Sequence, residues 1–308
     1  MEDVDTIWMD GDQVAWEDAQ VHVLTHALHY GSAVFEGIRA YDTGDGTAVF
    51  RLDAHLDRFF DSAGPYGIDI PYTRDEIEQA IYDLIQDNEL DSCYIRPIAF
   101  YGYEELGVNP SNCPVRVAIA VWPWGAYLGE DAIENGVAVQ VSSWRKYRAD
   151  MIPTNAKTSG AYVNSMLATT EADRRGFEES IVLDADGYVA EGPGENLFLV
   201  RDGQLITPDL SSSILEGVTR KSVITIAEDL GYEVVERRVG RGELYTADEL
   251  FFTGTAAEVT PIRQVEHVAV GEGTKGPVTD DIQAAFFDTV EGKKPEYSDW
   301  LFPVEQDQ

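Results

Sequence analysis

Lysine is scarce in this chain: six occur against sixteen arginines, and the 22 basic residues together face 56 Asp and Glu. The resulting net charge of −34 argues against nucleic acid or an anionic membrane as a partner, since both repel a polyanion. Cysteine is nearly absent. Cys93 and Cys113 are too few for a disulfide framework and lack metal-ligand spacing, so both are expected to be free thiols in a reducing compartment. No apolar run approaches the roughly 18 residues of a membrane span, and MEDVDTIWMDGD lacks the basic and apolar regions of a signal peptide. The expectation is a soluble cytoplasmic protein. Also missing are a Gly-x-Ser-x-Gly elbow, a P-loop and a Gly-x-Gly-x-x-Gly after a strand.

What is present suits packed cores: 44% hydrophobic residues and 11% aromatics, over a length fit for two ordinary domains or one large one. The carboxylate excess would destabilise a compact state at low salt, whereas 1 M salt shortens the Debye length to about 3 Å. We read it as adaptation to a salt-loaded cytoplasm, the alternative being an ordinary acidic mesophilic protein.

Alternation and turn residues predict a hairpin through Asp10-Gly11 in IWMDGDQVAW. Helical periodicity follows over 53–64, with apolar Leu56, Phe59 and Phe60, and again in TRDEIEQAIYDLIQDNEL, capped by Thr73. SCYIRPIAFYG and PVRVAIAVWPW read as long strands. These make a small α+β domain over 1–122. Residues 123–135 are expected to connect it to a second domain over 136–308. That domain should hold the strand VAVQVSSW, a helix over 160–175, and short strands at SIVLDA, YVAE, NLFLV and QLITP. A helix over 218–230, the strands YEVVERRV and ELFFTG, and a helix over 280–290 complete it.

Five windows contain no Asp or Glu: 19–35, 92–103, 106–129, 135–149 and 151–170. On an acid-coated protein such windows mark cores, interfaces or a pocket for an anionic ligand. In the last, MIPTNAKTSGAYVNSMLATT, Lys157 is the only charge; twenty acid-free residues arise at random in roughly 2% of windows at this composition. A solitary lysine in an uncharged, partly apolar setting is where an amine becomes a nucleophile, although an exposed loop lysine fits the same pattern.

Three further segments could carry chemistry. EGPGEN, from Glu191 to Asn196, makes a tight path between strands with Glu191 at its entrance, or is a surface turn with incidental acids. LEGVTR would present the amides of Gly217, Val218 and Thr219 at a helix start, an anion cup, unless Thr219 is an ordinary cap. GTAAE, from Gly254 to Glu258, offers similar amides. His26 and His29, three apart, could suit a metal, but no third ligand cluster appears and packing or hydrogen bonding is the expected role.

Taken together, HALHYGSAVFEGIRAY, YIRP from Tyr94, WGAYLG from Trp124, IPTNAK through Lys157, EGPGENLF, LEGVTR and FFTGTAAEVTP resemble the branched-chain-amino-acid aminotransferases. Their order and spacing match over about 7–287. The resemblance implies a mixed α/β, two-domain pyridoxal-phosphate enzyme of fold type IV. Its smaller N-terminal domain is α+β, and its larger C-terminal domain has a β-barrel-like core surrounded by helices. It implies pyridoxal 5'-phosphate as a Schiff base on Lys157, which also moves the substrate Cα proton. Glu191 would pair with the ring nitrogen and Tyr162 with the phenolic oxygen. Arg58, Gly217, Val218, Thr219 and Thr255 would hold the phosphate, with Leu215 on the ring. Tyr30, Phe35, Gly37, Trp124, Tyr127 and Tyr162 would wall the substrate pocket, with Arg96, Tyr30 and Tyr127 taking a γ-carboxylate. Tyr94, Thr255, Ala256 and Ala257 would hold the α-carboxylate. The implied partners are L-amino acids and 2-oxo acids, and a second copy of the chain in a homodimer or larger assembly, up to a hexamer. Asn155, Ser159 and Pro193 depart from the family pattern without touching these roles. The rivals are a D-amino-acid aminotransferase or aminodeoxychorismate lyase, against which YIRP and WGAYLG speak, and a noncatalytic anion-binding protein that keeps the fold.

Overall fold

The computed structural model describes residues 4–125 and 127–304; Ala126, inside WGAYLG, lies outside them. The chain forms two compact units. The first comprises Met1–Trp124, Ala156–Ala161 and Thr289–Gln308; the second comprises Gly125–Asn155 and Tyr162–Asp288.

In the first unit, β1 (Thr6–Met9) and β2 (Asp12–Ala15) form the expected hairpin, and α1 (His26–Tyr30) precedes β3 (Ala33–Phe35), β4 (Ile38–Asp42) and β5 (Thr47–Phe50). Then come α2 (Leu52–Ala63), α3 (Arg74–Asp87), β6 (Cys93–Tyr101) and β7 (Val115–Trp122). Every pairing in this sheet is antiparallel, in the order β5-β4-β6-β7-β1-β2, with β3 also on β6 and the strand Leu301–Pro303 returning to β5. Helix α2 turns Leu52, Leu56, Phe59 and Ala63 to the core, a spacing that repeats every three to four residues, while Phe60 is only partly buried. Helix α3 starts at a reciprocal cap: Thr73 N–H donates to Glu76 Oε2 at 2.7 Å, and Glu76 N–H donates to Thr73 Oγ1 at 3.3 Å. Both helices pack on the face of the sheet that carries Ile95, Val117, Ile119 and Val121.

The second unit begins with α4 (Glu130–Asn135), β8 (Val137–Arg145), α5 (Tyr162–Arg175), β9 (Glu179–Leu183) and β10 (Tyr188–Glu191). It continues with β11 (Asn196–Arg201), β12 (Gln204–Thr207), α6 (Val218–Asp229), β13 (Glu233–Glu236), β14 (Val239–Gly240), β15 (Glu249–Gly254), β16 (Glu258–Val265), β17 (Val268–Ala269) and α7 (Pro277–Val290). Its sheet runs β13-β12-β11-β15-β16-β8-β9-β10-β14 with β17 on β16; β8 is parallel to both β9 and β16, and β12 to β13. The strands are nearly continuous apolar runs, as strands covered on both faces require.

The structure differs from the sequence expectation in four places. The connection expected over 123–135 contains α4, whose Ala132 joins the second unit's core, so that unit starts at Gly125. Residues 156–161, expected in the second domain, belong to the first unit, because their backbone pairs with β3. YEVVERRV is broken at Arg237 and Arg238, which turn aside to ion-pair with Glu243 and with Asp184 and Asp186. Helix α7 begins at Pro277 rather than Asp280, because the Glu249 carboxylate accepts from the N–H groups of Val278 and Thr279 at 3.1 and 2.7 Å.

Candidate active site

Lys157 is held in the first unit by its backbone. Its carbonyl accepts from Phe35 N–H at 3.0 Å, its own N–H donates to Ser62 Oγ at 2.9 Å, and Thr158 bridges to Val34 in antiparallel fashion. Gly160 N–H then donates to Gly31 O at 3.1 Å. The segment thus lies along β3 like a short extra strand, with the base of Lys157 fixed and the half-buried amine 5.0 Å from the Phe35 ring centre.

Beside it stands a group the sequence did not single out. Glu36, with no exposed surface, accepts from Arg58 at both oxygens, Nε at 2.7 Å and Nη2 at 2.8 Å, and contacts His55 Nδ1 at 2.8 Å. Burial pushes the Glu36 carboxyl up, but the Arg58 and His55 contacts outweigh it and hold the group well below the usual carboxylate range. Burial lowers the His55 pKa, with Glu36 opposing and Arg58 and Lys157 assisting, so a neutral His55 presents its Nδ1–H to the carboxylate. Two-point contact with Glu36 fixes the plane of the Arg58 guanidinium.

The same unit gathers Phe35, Gly37, Tyr94, Arg96 and Trp124. The Arg96 guanidinium carbon lies 4.8 Å from the Phe35 ring centre and 5.2 Å from that of Tyr94, and Nη2 donates to Tyr94 Oη at 3.2 Å. Trp124 stacks at a tilt on Tyr94 with centres 5.3 Å apart. Gly37 leaves room for the Tyr94 hydroxyl: a Cβ here would fall 1.9 Å from Tyr94 Oη, so a larger residue would displace that ring. Tyr30 is not part of this group: it is 46% exposed at the end of α1, with its ring 4.5 Å from that of His26. His26 bonds Ser32 Oγ and Gly107 O, and His29 bonds Val23 O, the hydrogen-bonding role expected of them.

In the second unit, Glu191 closes β10 with 4% exposure. Its Oε1 pairs with the ammonium of Lys146, and its Oε2 accepts from Leu215 N–H at 2.8 Å and Asn196 Nδ2 at 3.1 Å. Asn196 also donates to Leu215 O at 2.9 Å. The purpose of EGPGEN follows from this. Gly192 N–H donates to Glu195 O at 2.8 Å, so the turn brings Glu191 and Asn196 side by side, and both seize Leu215. Two residues on, Gly217 caps α6 in extended conformation, and a Cβ there would fall 2.0 Å from Asn196 Oδ1. The cap is therefore Gly217 rather than Thr219, which is buried in the first turn beside Val218, where no acidic residue occurs. Thr255 and Ala256 lie half-buried, and Ala257 buried, in the turn from β15 to β16. Tyr162 opens α5, and Tyr127 is 43% exposed.

Sequence reasoning missed Glu36, His55, Ser62, Lys146 and Asn196. Lys146 had a signal: it lies in the acid-free window 135–149, between Arg145 and Arg148.

Residues 33–265 match the family described as Amino-transferase class IV. The branched-chain-amino-acid aminotransferase of Pseudomonas aeruginosa is 52% identical over 294 residues, 96% of this chain and 95% of that one. The crystal structure of the Escherichia coli branched-chain amino acid aminotransferase superposes with a TM-score of 0.96 at 49% identity, covering 98% of this chain and 100% of that one. A branched-chain amino acid aminotransferase from T.th., complexed with N-(5'-phosphopyridoxyl)-L-glutamate, gives 0.95 at 47%, covering 99% and 100%.

Proposed function

We infer the reaction from kinship: the chain belongs to the class IV aminotransferases and, within them, to the branched-chain-amino-acid aminotransferases. It transfers an amino group between L-leucine, L-isoleucine or L-valine and 2-oxoglutarate, giving branched-chain 2-oxo acids and L-glutamate, with pyridoxal 5'-phosphate as cofactor. The phosphopyridoxyl-glutamate bound by the T.th. relative supports both the cofactor and the glutamate partner.

The donor chemistry fits that cofactor. A buried carboxylate ion-paired to Lys146 suits a protonated ring nitrogen, a fixed guanidinium and first-turn amides suit a phosphate, and a half-buried amine suits an aldehyde. Bound pyridoxal phosphate supplies an electrophilic carbon and a ring that takes up the electrons left at the substrate Cα. Lys157 would hold it covalently, would be released when the substrate amine takes its place, and as the freed amine would take and return the proton at Cα. Glu191 would keep the ring nitrogen protonated, Tyr162 would donate to the phenolic oxygen, and Leu215 would pack on the ring. Arg58, Gly217, Val218, Thr219 and Thr255 are the residues that would hold the phosphate.

One pocket must accept an aliphatic side chain and, alternately, a carboxylate. Arg96 answers this through its aromatic sandwich: Phe35 and Tyr94 offset its charge when the side chain is apolar, leaving it ready to pair with the γ-carboxylate of glutamate. Tyr127 would assist that pairing, Gly37 and Trp124 would complete the wall, and Tyr94, Thr255, Ala256 and Ala257 would take the α-carboxylate, whereas Tyr30, exposed at the end of α1, stands outside this group. The clamping of the Lys157 backbone carries this reading, since a loop lysine without a task needs no such support.

In the test, the protein with pyridoxal phosphate shows a visible absorption band bleached by borohydride and forms 2-oxo acid from L-leucine but not from D-alanine; Lys157→Ala abolishes both. Activity on D-alanine, or a colourless protein that the cofactor cannot reconstitute, defeats the reading. The finer attributes are also part of it: a salt-loaded cytoplasm as the setting, on the charge of −34, and a homodimer or larger homo-oligomer.

A further inference from the structure

The roles assigned so far leave Lys146 unexplained. It follows β8, donates its N–H to Leu183 O at 2.8 Å, and carries a side chain 10% exposed whose ammonium pairs with Glu191. Burial works against that charge, but the Glu191 carboxylate outweighs it, with help from Tyr147 and Tyr162, and holds the lysine above its ordinary range. The same ammonium lies 5.2 Å from the Tyr147 ring centre. One buried cation therefore binds Glu191, the second unit's carboxylate assigned to the cofactor ring.

A carboxylate offers about four lone-pair positions. Leu215 N–H and Asn196 Nδ2 take two on Oε2, and Lys146 takes one on Oε1, which leaves one acceptor position for a further donor. We propose that Lys146 is a positioning residue for the transamination: its ion pair fixes the Glu191 carboxylate so that this one position is kept for the ring nitrogen. The inference rests on the assignment of Glu191 made above. Without the ammonium, Oε1 has two open positions and no fixed direction, and the buried carboxylate loses its compensating charge.

The test uses the pyridoxal-phosphate-loaded protein as wild type, Lys146→Met, Lys146→Arg, Glu191→Gln and the Lys146→Met/Glu191→Gln double variant. Four quantities are read: the pH titration of the visible band, the cofactor dissociation constant by fluorescence, kcat and KM for L-leucine, and the melting temperature of the apoprotein. Lys146→Met is expected to move the band's pH midpoint by about one unit, a tenfold change in proton affinity. It should also lower kcat tenfold or more, with KM within about twofold. Lys146→Arg restores the midpoint, and Lys146→Met adds no further shift in the Glu191→Gln background. If Lys146→Met does not fold, Lys146→Gln carries the same expectations. A change confined to the melting temperature, or a shift that persists undiminished in the Glu191→Gln background, overturns the proposal. If Glu191→Gln itself leaves band, affinity and rate at wild type, the assignment of Glu191 fails and this proposal with it. If Glu191→Gln moves them and Lys146→Met does not, only the role of Lys146 is lost.

Discussion

At the scale of single residues, Glu36 is the sharpest case, because its carboxylate is sealed from water between Arg58 and His55. Glu36→Gln would leave a buried guanidinium without its counter-charge, a loss of about 3–5 kcal/mol by the usual cost of breaking a buried pair. Since the folded carboxyl is held below its ordinary value of 4.5, its contribution is fully present above that pH and is lost as pH falls toward the folded value. Urea titrations at pH 7 and pH 4 should show wild type weakening as acid is added, with a shallower decline in Glu36→Gln. Equal slopes would refute the depressed ionisation. Lys157 was legible in the sequence because it is the only charge in twenty residues, and Glu36 was not, because in a chain with 56 acids one more carries no contrast. What sets Glu36 apart is burial, and burial of this carboxylate is created by β3, β4 and α2 together rather than by its neighbours in the chain. Lys146 is the intermediate case: its acid-free window was visible, but its partner lies 45 residues away.

At the scale of elements, α6 depends on a single absent Cβ. Gly217→Ala would drive a methyl to 2.0 Å from Asn196 Oδ1, so either α6 or the Asn196 side chain must shift. Overpacking of this kind costs about 1–3 kcal/mol. Because Asn196 also holds Glu191 and Leu215, weaker cofactor binding should accompany the lower urea midpoint; a variant that loses stability but keeps wild-type cofactor affinity would separate the cap from the site. The elements read most faithfully were those with local codes: the Asp10-Gly11 hairpin, the Thr73 cap of α3, and the long strands β6 and β7. Those misread depend on distant partners. The start of α7 is set by Glu249 some thirty residues earlier, and the 156–161 segment joins the first unit through pairing with β3, more than a hundred residues upstream.

At the scale of the whole molecule, the acid coat and its gaps belong to one argument. Val21, Val23, Leu28 and Tyr30 are exposed by 39–70%, and Tyr103, Leu106 and Val108 by 44–83%, all in acid-free windows. The two stretches adjoin, since the His22 and Tyr103 rings stack at 4.4 Å and His26 bonds Gly107 O. An apolar patch left uncoated on so acidic a chain supports a second copy as its cover. Val108→Asp should then shift light scattering toward a smaller species, most clearly at low salt, where added charge across an interface repels over about 10 Å rather than 3 Å. The same screening governs the folded chain itself. Raising KCl from 0.1 to 2 M should raise the melting temperature, and reversing the exposed acids Asp45, Glu228 and Glu272 to lysine should reduce that dependence without touching the residues assigned to catalysis. A melting temperature indifferent to salt in both proteins would mean that repulsion among the surplus carboxylates does not limit the stability of the folded chain, and the salt-loaded setting would lose its physical basis.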